Sequence, residues 1–178
     1  RFAAKYRLIP EENTFSAMIQ LRQLMENLAR ERVFEELCKL LLAAQPEDLL
    51  RYSHILAAAI PELKPMIGFD QRSPHHAFDV FTHTAYVCGG VPADLPLRWA
   101  ALLHDVGKVA AGSEIFQKEG ALSTSDWIAV KRHPEIGYRI ASANHRLMPI
   151  ADLILSHHEH WDGSGYPRGL AAEQIPFL

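Results

Sequence analysis

Apolar residues recur along this chain every three or four positions, the period of a helix that buries one side. Over residues 14–28, Phe15, Met18, Ile19, Leu24 and Leu28 fall largely on one stripe, with Asn13 or Thr14 placed to cap its start. Residues 31–44 repeat the pattern with Val33, Phe34, Leu37, Leu40 and Leu41. Pro46 suits the first turn of a third helix, which carries Leu49, Leu50, Ile55, Leu56 and Ile60 as far as Pro61. Three prolines and a glycine interrupt the period over 61–75, and helical patterns resume at about 76–88, 96–109, 124–132, 135–143 and 147–160. Ser123, with Asp126 three residues on, predicts a capped helix start. No stretch alternates as a half-buried strand would, and no repeat appears. The pattern predicts an all-α protein: a helical arm over 1–64, a linker over 65–75 and a helical bundle over 76–178.

Composition narrows the class. The chain has 178 residues, 48 % of them hydrophobic, enough for a substantial core. Its longest apolar runs, LLLAA and ILAAAI, fall far short of the roughly 20 residues of a membrane span. Cys38 and Cys88 lie within apolar helical patterns, which argues for a reducing, cytoplasmic setting and against a disulfide framework or a thiolate zinc site. Arg1 opens directly into a helix-like pattern, so no signal peptide is expected, and the start without Met predicts a fragment or a processed chain. The net charge is −3, and the whole of it comes from residues 65–178, where twelve acids face nine bases. RNA binding is therefore not supported by charge, and a phosphate-bearing ligand would need local cations. A bound metal is one source of them.

Ten histidines point to that source. His104 and Asp105 end an apolar helix in RWAALLHDVGK, where an unpaired carboxylate would be expensive to bury. Lys108 follows His104 by one turn. Asp79 and His83 are four apart and share a helix face. His133 precedes Pro134 at a junction between helices, and His157 and His158 are adjacent near the end of another. Five imidazoles with one or two carboxylates, spread over four helices, can converge in a bundle core. Such a ligand set without thiolate suits iron, manganese or a similar divalent ion better than structural zinc. A bridging carboxylate would allow a pair of ions, able to activate water for phosphoryl displacement. Asp79 is the weakest member of the set, and His157 with His160 is a competing pair. His54, His75, His76, His145 and His160 otherwise read as ordinary surface or boundary residues.

Three strings, HDVGK, EGALSTSDWIAVKRHPEIGYRI and HHEHWDGSGYPRGLAAEQIP, resemble the HD-GYP domain of the HD superfamily from His104 to Leu178. The resemblance implies an all-helical, metal-dependent phosphodiesterase that hydrolyses cyclic di-GMP at a di-iron, tri-iron or manganese site. By position, His83 would be the first ligand, His104 and Asp105 the HD pair, His133 a further ligand, and His157 and His158 the tandem pair. Lys108 would contact the scissile phosphate, and Asp79 would match an extra carboxylate of trinuclear members. Gly165, Tyr166 and Pro167 would form the GYP loop, which borders the active site and can serve protein contacts.

The first hundred residues resemble a different family. RFAAKYRLIPEENTFSAMIQL, ARERVFEELCKLLL and HHAFDVFTHT are similar to the neck and body of bacterial CCA-adding tRNA nucleotidyltransferases, a likeness that continues through LRWAALLHDVGK. The nucleotidyl-transferring head is not in this sequence, so nucleotide addition is not expected of it. The HD-GYP resemblance further implies a following helix with another Asp ligand, so a C-terminally truncated domain is expected. The leading expectation is hydrolysis of a cyclic dinucleotide. Two others stand beside it: a 2′,3′-cyclic phosphodiesterase or phosphatase acting on nucleotides or tRNA ends, and a catalytically incomplete metal-binding or interaction module.

Overall fold

The computed structural model describes residues 1–71, 78–116, 118, 120–176 of the chain; His75, His76 and the first residues expected of the helix at 76 lie outside the described residues. Twelve α-helices form among the described residues, and no strand does. The all-α expectation holds. In order they are α1 (Phe2–Tyr6), α2 (Glu12–Leu21), α3 (Arg30–Ala43), α4 (Pro46–Arg51), α5 (Ser53–Ala59), α6 (Val80–Gly90), α7 (Leu95–Leu103), α8 (Val106–Ala110), α9 (Ser113–Phe116), α10 (Thr124–Val130), α11 (His133–Ser142) and α12 (Ala151–Ser156). No helix among the described residues is long and apolar enough to cross a membrane.

Several helices are shorter than their apolar periodicity suggests, for local reasons. The Glu11 carboxylate, rather than Asn13 or Thr14, caps α2 by accepting from the Thr14 amide. The expected third helix divides at Tyr52 into α4 and α5. The pattern over 96–109 breaks into α7 and α8 at His104 and Asp105, and the last one ends at Ser156 instead of running to 160. Ser123 and Asp126 make the expected capping box at the start of α10.

The helix α7 is the hub. Arg98 to Leu103 are all buried, and α7 packs against α3, α6 and α12. Phe34 of α3 stacks on Trp99 at 5.2 Å between ring centroids, and the Trp99 indole N–H donates to Cys38 Sγ. The buried Arg98 guanidinium donates to the carbonyls of Ala44 and Pro92, so a charge placed in the core leaves no donor fork facing apolar neighbours only. One apolar core runs from Ala4 and Leu41 through Phe81 and Leu102 to Ile154.

The proline-rich stretch shapes the chain instead of releasing it. Pro61–Met66 is a 3-10 turn with Leu63 and Met66 fully buried, and it packs against α8. Phe69 and Gln71 are buried as well. Prolines at 61 and 65 break α-helical periodicity because they lack the N–H that a helix needs. Solvent exposure does not follow from that.

Helices α8 and α11 approach each other closely. A Cβ on Gly107 would lie 2.0 Å from the His133 carbonyl oxygen, and one on Gly137 would lie 2.9 Å from Ile154. Hydrogen at Gly137 leaves room for Ile154 of α12, and hydrogen at Gly107 lets the α8 and α11 backbones meet. That contact carries His133 up to Asp105.

Candidate metal centre

The break between α7 and α8 places Asp105 at the centre of the bundle with 1 % of its surface exposed. Around it lie two overlapping groups of ligand-type atoms, each within 4.8 Å of the others. One is His83, His104 and Asp105; the other is Asp105, His133, His157 and His158. Asp105 belongs to both. Its Oδ2 faces His104 Nε2 at 3.2 Å and His83 Nε2 at 3.8 Å, while Oδ1 faces His133 Nε2 at 3.4 Å and His157 Nε2 at 3.8 Å. One carboxylate thus looks both ways.

Three histidines are aimed by the same device. The Nδ1–H of His104, His133 and His157 donates to the carbonyl three residues earlier, on Ala101, Val130 and Ile154, at 2.8, 2.7 and 2.6 Å. Each acceptor is a carbonyl near a helix C-terminus, where no further turn claims it. With the proton fixed on Nδ1, the neutral ring presents its Nε2 lone pair inward. The helices are short because their ends hold these rings. His83 reaches the cluster from α6, and His158 stands beside His133 and His157 with ring centroids 5.0 and 4.2 Å away.

The electrostatics suit a cation. Burial pushes His133 down to about 4, His157 to about 2 and His158 to about 3, so all three are neutral at pH 7 and offer lone pairs. Burial opposes charge on His104 too, but the neighbouring Asp105 outweighs it and raises that histidine. Burial alone would raise the Asp105 carboxyl, yet His104 and then Lys108 hold it well below the usual carboxylate range. Even so, Asp105 Oδ1 has no hydrogen-bond partner, and His133 Nε2 lies 3.2 Å from His157 Nε2. A buried carboxylate oxygen without a donor is costly. Lone pairs converging on it make a donor set that fits a divalent cation, and no thiolate is among them.

Lys108 lies 5 % exposed, donating to Asp105 Oδ2 at 2.8 Å and to Gln71 Oε1 at 2.9 Å. Gln71 is the residue the sequence reading missed. It sits in the proline-rich stretch with no periodicity or motif to mark it. Asp79, the weakest of the expected ligands, lies in neither group. One oxygen accepts from the Thr82 amide and the other from the Gly68 amide, each at 2.6 Å, so it caps α6. Helix-face spacing with His83 could not reveal that demand. His160 binds Ser164 Oγ within its loop at 3.0 Å and does not join His157 in either group.

Gly165, Tyr166 and Pro167 lie against the cluster's edge. A Cβ on Gly165 would meet the His160 nitrogen at 2.3 Å, and the Tyr166 amide donates to the His158 carbonyl at 3.1 Å. The Tyr166 ring stacks on His158 with centroids 4.7 Å apart. Burial, with the nearby Asp105 charge, pushes its hydroxyl up to about 12. Glu159 ties the loop back by accepting from the amides of Arg168 and Leu170. A cavity of about 330 Å³ opens beside His83, His104, His157 and His158, walled by Val87, Val91, Leu97 and Leu153.

Comparison with known proteins gives family-model matches on two separate stretches of the chain. Residues 92–178 match the family model described as HD domain. Residues 8–67 match the one described as probable RNA and SrmB-binding site of polymerase A. The chain is 44 % identical over 82 residues to a cyclic di-GMP phosphodiesterase of Thermotoga maritima, a match covering 45 % of this chain and 22 % of that protein. It is equally similar over 82 residues to a 3′3′-cGAMP-specific phosphodiesterase 2 of Vibrio cholerae, covering 45 % of this chain and 16 % of that one. It is also 32 % identical over 170 residues to a multifunctional CCA protein of Neisseria meningitidis, covering 89 % of this chain and 39 % of that protein. The chain therefore spans well under half the length of the relatives it matches.

Proposed function

From the match of residues 92–178 to the HD domain family, we propose that the chain is a metal-dependent phosphohydrolase cleaving a phosphodiester in a cyclic dinucleotide such as cyclic di-GMP. The observation that carries this is Asp105, buried, lacking a partner on Oδ1, and shared by two groups of histidine nitrogens. His83 and His104 with Asp105 would hold one ion, and His133, His157 and His158 with Asp105 a second, with iron or manganese favoured by the nitrogen and oxygen donors. Bound there, two divalent ions would supply an activated water and positive charge for an in-line displacement at phosphorus.

The chain's own residues do the rest. Asp105 would bridge the two groups, and its backbone break between α7 and α8 lets it face both. The Nδ1–H bonds keep three imidazoles in the tautomer that binds cations and prevent them from turning. Lys108, oriented by Gln71, would add charge at the scissile phosphate while restraining Asp105. Gly165, Tyr166 and Pro167 would form the substrate-side rim and offer a surface for protein contacts. The same reading divides the chain into an arm over 1–64, a connection over 65–75 and a metal-bearing unit over 76–178.

Measuring metal content and cyclic di-GMP hydrolysis in the chain and its Asp105→Ala variant tests the proposal. Two ions per chain and metal-dependent turnover, both lost in Asp105→Ala, are expected. A rate indifferent to a strong chelator would overturn it. A second reading is favoured by the length of the match to the CCA protein, 89 % of this chain: hydrolysis of a 2′,3′-cyclic phosphate on a nucleotide or RNA end. Faster cleavage of 2′,3′-cyclic AMP than of cyclic di-GMP would select it.

A further inference from the structure

We propose that Lys131 recognises a second phosphate of the substrate, the one not being cleaved, from the ring of Tyr166 at the mouth of the cluster. This rests on the phosphodiesterase reading above.

Lys131 ends α10 two residues before His133, and its side chain is exposed. Its Nζ lies 5.3 Å from the Tyr166 centroid, and that ring stacks on His158 at 4.7 Å with 22° between planes. A cation–π contact of this kind holds an ammonium in place without neutralising it. Three other cations within residues 92–178 are engaged. Lys108 is paired with Asp105, Lys118 with Asp126, and Arg168 with Asp152. Lys131 has no carboxylate within ion-pair distance among the described residues. In a chain of net charge −3, a cation left unpaired one ring away from the cluster is suited to an anion.

The position also says which anion. Lys131 and His158 contact the same Tyr166 ring, so the ammonium would meet a phosphate other than the one held by the histidine cluster. A ligand with a second phosphate reaches both; a mononucleotide has nothing to place there. The chemical class is therefore a dinucleotide with two phosphodiesters, and Lys131 would act on binding specificity, not on the reacting atoms.

Calorimetric titration of the metal-loaded chain with cyclic di-GMP and with GMP, in wild type, Lys131→Ala and Lys131→Arg, tests this. Lys131→Ala is expected to weaken cyclic di-GMP binding about 5- to 10-fold, the loss of one charge-assisted contact, and GMP binding less than about twofold. Lys131→Arg, which keeps charge and ring contact, is expected to retain most of the affinity for cyclic di-GMP. Equal weakening of both ligands, no weakening of either, or no binding of cyclic di-GMP to wild type would overturn the inference. Turnover measured on the same samples separates the two proposals. Binding that shows the expected pattern without hydrolysis refutes the enzymatic reading and leaves Lys131's role standing.

Discussion

Gly107→Ala puts the central geometry to its sharpest test. Gly107 lies in α8, so helix propensity alone favours alanine there by about 1 kcal/mol. The structure reverses that sign. The new Cβ would lie 2.0 Å from the His133 carbonyl oxygen and 2.9 Å from its carbon, both backbone atoms that no rotamer change can clear. Ordinary contact begins at 3.4 Å, so α11 would have to retreat by about 1.4 Å. Overpacking of this kind costs about 1–3 kcal/mol, and more where backbone must move, which exceeds the propensity gain. The retreat would also carry His133 away from Asp105, now 3.4 Å apart, and beyond a metal's reach. Urea unfolding is therefore expected to show a lower midpoint, with metal content falling by at least one ion per chain. Gly90→Ala is the control, because nothing lies within 4 Å of its Cβ position and α6 already ends there. It should be neutral or slightly stabilising. A Gly107→Ala protein with wild-type midpoint and full metal content would refute the close α8–α11 contact and the site built on it.

Other outcomes follow from the same geometry. Asp79→Ala is expected to cost about 1 kcal/mol through loss of the α6 cap while metal content stays unchanged, as inductively coupled plasma spectrometry would show; loss of an ion would restore Asp79 as a ligand. In the metal-free protein, His133, His157 and His158 have folded-state values of about 4, 2 and 3, below the ordinary 6.5. The unfolded chain takes up protons first, so their contribution is complete above pH 6.5 and declines as pH falls toward 4, by at most about 1.4 kcal/mol per unit for each and less for the part-exposed His158. His104, raised by Asp105, runs the other way and loses its contribution as pH rises through its folded value. A urea midpoint lower at pH 5 than at pH 7 is expected, and equal midpoints would contradict the burial of these rings. Stripping metal with a chelator should lower the thermal midpoint at pH 7, since an ion bound only by the native state stabilises it.

What could be read from the sequence were properties with a local cause. Helical period is a matter of residues three and four apart, so the all-α architecture and the Ser123–Asp126 cap were legible. The candidate ligand types were legible too, because a histidine–aspartate pair and tandem histidines at helix ends stand out in a chain without zinc-binding thiols. Helix ends proved less so: the ring of His104 takes the carbonyl of Ala101 and the ring of His157 that of Ile154, so each helix stops where a side chain claims its last turn. Asp79 shows the limit from the other side. Its four-residue spacing from His83 was real, yet the Gly68 amide, eleven residues away, had already claimed an oxygen. Gln71 carried no pattern at all, since its role comes from where Lys108 is buried.

The sequence by itself thus determined the helical class, the candidate donor residues and the net negative charge. The tertiary structure decided which histidines share Asp105, that Lys108 is held in place by Gln71, and that Leu63, Met66 and Phe69 of the proline-rich stretch join the core. The physical reason is that convergence depends on how closely helices cross. Here that distance is set by two glycines on packed helices, Gly107 and Gly137, thirty positions apart in the chain.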